Sequence, residues 1–259
     1  MEINRIYNED CILTMNKMKE DGLKVDIVLT SPPYNTSCSY SKSDPYAFRY
    51  DNYNDNLYNE EYISFICNVF GGYDSILKQN GVVLFNVSYS SENTTLVWDL
   101  ISQIQNRTPL CVADCIVWKK SHAIPNNVSP NKLTRICEFV FVFCRKKEFA
   151  TFNMNKQVDS VSKKGQKIYK NIFNFIEAKN NDCSCSLNKA TFSSDFVRRL
   201  LLMYGFEGCL VYDSFIGTGT TAIGCIKEKM NFVGSELSLE QCKYADNRII
   251  KEQSQLSLF

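Results

Sequence analysis

Histidine is almost absent: His122 is the only one in 259 residues. A mechanism built on a histidine pair, a histidine-rich metal centre or several histidine bases is excluded at once. Net charge is equally scarce, since 29 Lys and Arg face 28 Asp and Glu. Nucleic acid or anionic lipid is therefore not held by bulk charge, and any such patch is local. No apolar run approaches the roughly 20 residues of a membrane span. The amino terminus, MEINRIYNED, has none of the apolar core of a secretory signal. The twelve cysteines include no C-x-x-C pair, so the usual zinc spacing is missing. Most of them sit in apolar stretches such as Ile136-Cys137-Glu138-Phe139, where cysteine behaves as a small buried hydrophobe. These features predict a cytoplasmic protein with reduced thiols, no metal site and no membrane partner.

What is present is a regular alternation. Short strands are predicted over Ile3–Tyr7, Val25–Thr30, Gly81–Val87, Cys111–Trp118, Glu138–Cys144, Cys209–Tyr212 and Phe232–Gly234. Helices are predicted over Asp10–Lys19, Glu61–Leu77, Leu96–Gln105, Ser194–Tyr204, Thr220–Glu228 and Glu240–Lys251, with a turn at Gln79-Asn80-Gly81. Strands alternating with helices in this way make an α/β sheet protein. Two stretches break the pattern. Residues 36–60 are polar and rich in tyrosine, and a loop this long is more often functional than idle. Residues 145–182 carry nine basic and four acidic side chains, about +5 in a nearly neutral chain.

Near the carboxyl end, Leu210-Val211-Tyr212-Asp213-Ser214-Phe215-Ile216-Gly217-Thr218-Gly219-Thr220 reads as strand, glycine turn and helix. Gly217 and Gly219 let the backbone turn tightly and approach a ligand, while the helix amino end favours an electronegative group. Glu236 follows the next strand, where a carboxylate can accept from two ribose hydroxyls. The pattern suits any adenosine-bearing cofactor and also passes as a dinucleotide fingerprint. The 23 residues after Glu236 are too few to complete a mononucleotide-binding half after it, which argues against the dinucleotide reading. The other strands come from the preceding chain, so the unit is circularly permuted.

Thr30-Ser31-Pro32-Pro33-Tyr34-Asn35 ends a buried strand. Two prolines fix the backbone, so the Ser31 hydroxyl and the Pro32 carbonyl are held rigid where α/β sheets place ligands. The exocyclic amine of a base is a poor nucleophile because its lone pair is delocalised. Two acceptors holding both amino hydrogens draw that nitrogen toward tetrahedral geometry, and the Tyr34 ring can stack on a base that has left its helix. Neither metal nor strong base is needed.

Ser-Pro-Pro-Tyr upstream of Asp-x-Phe-x-Gly-x-Gly resembles the S-adenosylmethionine-dependent DNA amino methyltransferases, in the motif order of their beta group. Tyr7-Asn8-Glu9-Asp10-Cys11 is similar to the family's opening strand. The run from Val117-Trp118-Lys119-Lys120 through Ile124-Pro125-Asn126-Asn127-Val128 to Glu138–Phe143 is similar to the block before its target-recognition region. The resemblance implies a Rossmann-like, mostly parallel seven-stranded sheet flanked by helices. It implies S-adenosyl-L-methionine as cofactor, lined by Asp10, Cys11, Phe192, Ser193, Asp213, Phe215, Gly217, Gly219, Thr220 and Glu236. Ser31, Pro32, Pro33 and Tyr34 become the catalytic corner. Residues 1–144 form the catalytic half, 145–187 a target-recognition insertion and 188–259 the cofactor half. Double-stranded DNA is the implied partner, contacted by Lys163, Lys164, Lys167, Lys170 and His122. A cognate restriction endonuclease is a second implied partner, and monomer and homodimer both stay open.

Two departures bear on the target base. Ser214 stands where the family usually has proline, and Asn188-Lys189-Ala190-Thr191-Phe192-Ser193 lacks the usual histidine and proline. The remaining Ala-x-Phe, with Ser31 in place of aspartate, looks like the cytosine-N4 version, which is the expected activity; adenine-N6 is the alternative. A nicotinamide oxidoreductase would explain the glycine loop but leave Ser-Pro-Pro-Tyr idle. A non-catalytic relative would have eroded one of two intact motifs. Methylation of RNA or of a protein glutamine needs the same two acceptors.

Overall fold

The computed structural model describes residues 1–35, 57–90, 93–123, 125–182, 187–188 and 191–256. The tyrosine-rich stretch 36–56, Ile124, the 183–186 segment with Cys183 and Cys185, and Lys189-Ala190 lie outside the described residues. Among the described residues the strands are β1 Arg5–Tyr7, β2 Val25–Thr30, β3 Leu77–Val87, β4 Leu110–Lys120, β5 Cys137–Arg145, β6 Val158–Val161, β7 Lys167–Tyr169, β8 Phe175–Ala178, β9 Leu210–Asp213 and β10 Asn231–Ser235. The helices are α1 Cys11–Glu20, α2 Asn59–Ile76, α3 Leu96–Arg107, α4 Ser194–Tyr204, α5 Thr220–Lys227 and α6 Leu239–Leu256.

Eight strands form one sheet in the order β1-β10-β9-β2-β3-β5-β4-β8. Pairing is parallel except where β5 lies antiparallel between β3 and β4. Alternation along the strands divides the core between the two faces. Val82 and Leu84 of β3 and Val140 and Val142 of β5 join the Trp118, Phe196 and Leu200 cluster with α4 and α5. Val83, Phe85, Phe141 and Phe143 face the opposite cluster, with Phe70, Tyr73 and Leu100 of α2 and α3. Both faces are covered, which is why the central strands read as unbroken apolar runs.

Three expectations are corrected. The sheet has eight strands rather than seven, because β8 from the basic segment pairs with the edge of β4. Buried Ile176 and Ala178 and a 2.9 Å Lys119–Glu177 ion pair hold it there. The turn at Gln79-Asn80-Gly81 does not separate helix from strand. Strand β3 follows α2 directly, and Asn80, at φ 60°, lies in an irregularity where the register jumps from Val25 beside Leu77 to Ile27 beside Val82. Arg145 fixes this junction through Asp74 Oδ1 at 2.6 Å and the carbonyls of Asp74, Leu77 and Lys78. Helix α2 also starts earlier than predicted, at Asn59, with Glu60 and Glu61 in its first turn, where acidic side chains are favoured.

The remaining strands of the basic segment, β6 and β7, pair only with each other, in an antiparallel hairpin. Its turn closes through Gly165 at φ 79°, with Lys163 and Lys164 beside it and Lys167 and Lys170 beyond, all exposed. Among the described residues no helix is long and apolar enough to cross a membrane.

Candidate active site

Strands β2 and β9 are parallel neighbours, so the loops leaving their carboxyl ends emerge side by side. That is the position at which α/β sheets bind ligands. One loop is Ser31–Asn35; the other is Ser214–Gly219. Residues 183 apart in sequence meet here, for Thr30 Oγ1 donates to Asp213 Oδ1 at 2.8 Å. Asp213 is buried and also accepts from Phe215 N at 3.0 Å and Thr221 Oγ1 at 2.5 Å. Burial raises its carboxyl from 3.8 to about 6, against the opposing pull of Thr221, Phe215 and Thr30.

In the glycine loop, Gly217 has φ 52° and Gly219 φ 82°, a region that favours glycine. A Cβ on Gly219 would lie 2.8 Å from the Ala245 Cβ of α6. Glu236 bridges this loop to the end of β10: its Oε2 accepts from Gly217 N at 3.0 Å and its Oε1 from Ser238 N at 2.8 Å. The carboxylate is thereby fixed in orientation at the cleft wall.

The cleft encloses about 180 Å³ and runs from Asp10, Cys11 and Glu236 to Ser31 and Pro33. Phe65, Phe192, Phe215 and Ile216 supply apolar walls; Gly217, Thr218 and Thr220 supply the floor beside the α5 amino end. Asp10 caps α1 by accepting from Ile12 N at 2.8 Å. Burial, reinforced by Asp10, pushes the Cys11 thiol up to about 12, so it is a thiol and not a nucleophilic thiolate. An apolar slot with a fixed carboxylate at one end and a close glycine backbone beneath it fits an adenosine-bearing group.

The predicted cofactor residues separate into two sets. Asp10, Cys11, Phe192, Phe215, Gly217, Thr220 and Glu236 line the cleft. Asp213 lies buried behind its wall, Gly219 packs against α6, and Ser193 caps α4 by accepting from Phe196 N at 3.3 Å.

At the catalytic corner Tyr62 Oη donates to the Pro33 carbonyl at 2.7 Å, and Pro32 is buried. Tyr34 is half-buried, with its hydroxyl 3.1 Å from Ser31 Oγ and donating to Glu138 Oε2 at 2.9 Å. Asn86 Nδ2 donates to Tyr34 Oη at 2.7 Å and to Glu138 Oε2 at 3.0 Å. Lys120 pairs with the other Glu138 oxygen. Asn86 and Glu138 went unrecognised in the sequence because they stand on strands read as apolar core, and Lys120 because β4 runs two residues past its predicted end at Trp118. For Asn86 and Glu138, polarity inside those runs was the available signal.

The basic hairpin and His122 do not line the cleft. His122 is exposed and ties the end of β4 to the loop after β8, accepting at its carbonyl from Asn180 Nδ2 at 2.7 Å.

A family model described as DNA methylase matches residues 25–247, from the start of β2 into α6. The chain belongs to this DNA methylase family. Among curated relatives, the type II methyltransferase M.SmaI of Serratia marcescens is 25% identical over 261 residues, covering 88% of this chain and 85% of that protein. M.Cfr9I of Citrobacter freundii is 27% identical over 139 residues, 54% of this chain but only 44% of that protein's length. Among solved structures, the cytosine-N4-specific PvuII DNA methyltransferase superposes with a TM-score of 0.69 at 15% identity, over 94% of this chain and 85% of that one. The M1.HpyAVI–SAM complex gives 0.67 at 18% identity, over 95% and 98%. At such identities these likenesses establish the methyltransferase fold.

Asp213 yields a direct test of the joint between the loops. Its carboxyl is raised on folding, so its contribution is fully present at low pH and is lost as pH climbs through about 6. Urea unfolding from pH 4 to 7 should show Asp213→Asn gaining roughly 2 kcal/mol relative to the wild type over that interval. Parallel curves for the two proteins would show that Asp213 is not held as described.

Proposed function

We propose that this protein is a site-specific DNA methyltransferase that methylates the exocyclic N4 amine of a flipped cytosine in duplex DNA, using S-adenosyl-L-methionine. The observation that carries the reading is the side-by-side emergence of the Ser31–Tyr34 corner and the glycine loop from adjacent parallel strands. Glu236 is set to receive the ribose hydroxyls, Asp10 and the aromatic walls the adenine, and the Gly217–Thr220 backbone the remainder of the cofactor. When bound, S-adenosylmethionine supplies an electrophilic methyl carbon on a sulfonium, and the carbon–sulfur electron pair stays on sulfur.

The chain's own residues prepare the nucleophile. Ser31 Oγ and the Pro32 carbonyl accept the two amino hydrogens and turn the nitrogen lone pair toward the cleft. The Pro33 carbonyl is already engaged by Tyr62, which leaves the Pro32 carbonyl as the corner's backbone acceptor. The Tyr34 ring stacks on the base, sharing the cost of a few kcal/mol for unstacking it from the helix. The exposed β6–β7 hairpin, with Lys163, Lys164, Lys167 and Lys170, reaches for phosphates, which hold the enzyme on DNA without reading sequence. Ser31 in place of aspartate and the Ala-x-Phe of Ala190–Phe192 favour cytosine, as does the likeness to the cytosine-N4-specific PvuII enzyme.

Two experiments test this reading. Mass spectrometry of nucleosides from mixed-sequence duplex DNA incubated with enzyme and S-adenosylmethionine should show N4-methylcytosine. N6-methyladenine instead would overturn the choice of base, and absence of both would overturn the activity on such DNA. Replacing Lys163, Lys164 and Lys167 together by alanine should weaken DNA binding and lower the salt slope by up to about 3. An unchanged slope would move the DNA face away from the hairpin.

A further inference from the structure

Glu138, at the start of β5, is buried and has no part in the transfer chemistry set out above. A buried carboxylate is tolerated only when paired and hydrogen-bonded, and here both oxygens are engaged. Lys120 holds Oε1, while Tyr34 Oη and Asn86 Nδ2 donate to Oε2 at 2.9 and 3.0 Å. A phenol has one proton to give, and Tyr34 gives it to Glu138. Across the 3.1 Å Ser31–Tyr34 contact the donor is therefore Ser31. The Ser31 hydroxyl proton is thus committed inward; Asn86 Nδ2 donates to its oxygen at 3.4 Å, and the remaining lone pair is left for an incoming N–H.

Asn86 enforces the same direction. Its Nδ2 lies 2.7 Å from Tyr34 Oη and 3.0 Å from Glu138 Oε2, so both of those oxygens are acceptors toward it. Its Oδ1 is the one buried side-chain polar atom without a hydrogen bond among the described residues. Turning the amide over would place that oxygen against the Glu138 carboxylate. The corner keeps an acceptor unpaired and retains the polarity of the chain.

We propose that Glu138 is a positioning residue that, through Tyr34, fixes Ser31 as a hydrogen-bond acceptor and takes up the proton released by the methylated amine. This rests on the reading of the Ser31 corner as the amine site. Once the nitrogen carries its new methyl group it is cationic and has one proton to lose. That proton passes to Ser31 Oγ, the Ser31 proton to Tyr34 Oη, and the Tyr34 proton to Glu138 Oε2. Both hydroxyls end as they began, and the carboxylate ends as a carboxylic acid that solvent deprotonates.

The test separates this relay from stacking by Tyr34 and from a purely structural role of Glu138. Tyr34→Phe keeps the ring and removes the hydroxyl; Glu138→Gln keeps shape and removes the proton acceptor. Each should lower kcat by about 100-fold, with KM for DNA and calorimetric affinity for S-adenosylmethionine unchanged. The double variant should lose no more than either single one, because the groups act as one unit. In protein labelled with [ζ-13C]tyrosine, the resonance that Tyr34→Phe deletes should shift in Glu138→Gln. Wild-type kcat in both single variants, or losses that multiply in the double, would overturn the relay. An unmoved tyrosine resonance would overturn the hydrogen bond itself. If the wild type methylates no DNA amine, the functional reading fails, and the labelled resonance still decides whether Glu138 holds the Tyr34 proton.

Discussion

Burial of Asp213 confronts the fold with a carboxylate that water cannot solvate, and the rest of the site follows from how that charge is held. Thr30 at the end of β2, Thr221 in α5 and the Phe215 amide each donate to it. Those three donors belong to the corner strand, the cofactor-side helix and the glycine loop. Holding the charge therefore also fixes the spacing between the two loops. The pairing of β2 with β9 makes this possible, since it brings the carboxyl ends of two strands from opposite ends of the chain together. An isolated carboxylate at this depth would be protonated near neutrality; with the three donors its carboxyl is raised only to about 6.

Local signals were legible in the sequence where they were both strong and bounded. The β-branched run Val25–Thr30 ends at Pro32-Pro33 and forms β2 over those same residues. Ser194–Tyr204 forms α4 over the predicted range, with Ser193 as its cap. The glycine turn was legible because positive φ at Gly217 and Gly219 leaves few alternatives to glycine. Long-range pairing was not. Phe175–Ala178 is four residues inside a basic segment, and nothing local tells it to add to β4 about 60 residues earlier. Asn80-Gly81 signalled a turn, and Asn80 does take a positive φ, yet the strand continues through it because Arg145 fixes the junction from a distance.

The polar corner shows the same division between local and distant. Ser31 and Tyr34 were found because their motif is contiguous. Asn86 and Glu138 come from two other strands and meet Tyr34 only after β3 and β5 have paired. Each is a polar residue within an apolar run, which costs free energy unless its hydrogen bonds are made. That cost accounts for the density of bonds among Ser31, Tyr34, Asn86 and Glu138. In a chain with a single histidine, the groups at this corner that can accept a proton are, among the described residues, hydroxyls and a carboxylate.

In the proposed function the glycine loop and the Ser31 corner serve one ligand from opposite ends of one cleft. A crystal structure with bound sinefungin, a stable analogue of S-adenosylmethionine, tests it most directly. The expected pose has ribose hydroxyls on Glu236, the adenine beside Asp10 and the aromatic walls, and the amine that replaces the methyl-bearing centre directed toward Ser31 and Pro33. Analogue bound with that centre turned away from Ser31, or bound outside this cleft, would contradict it.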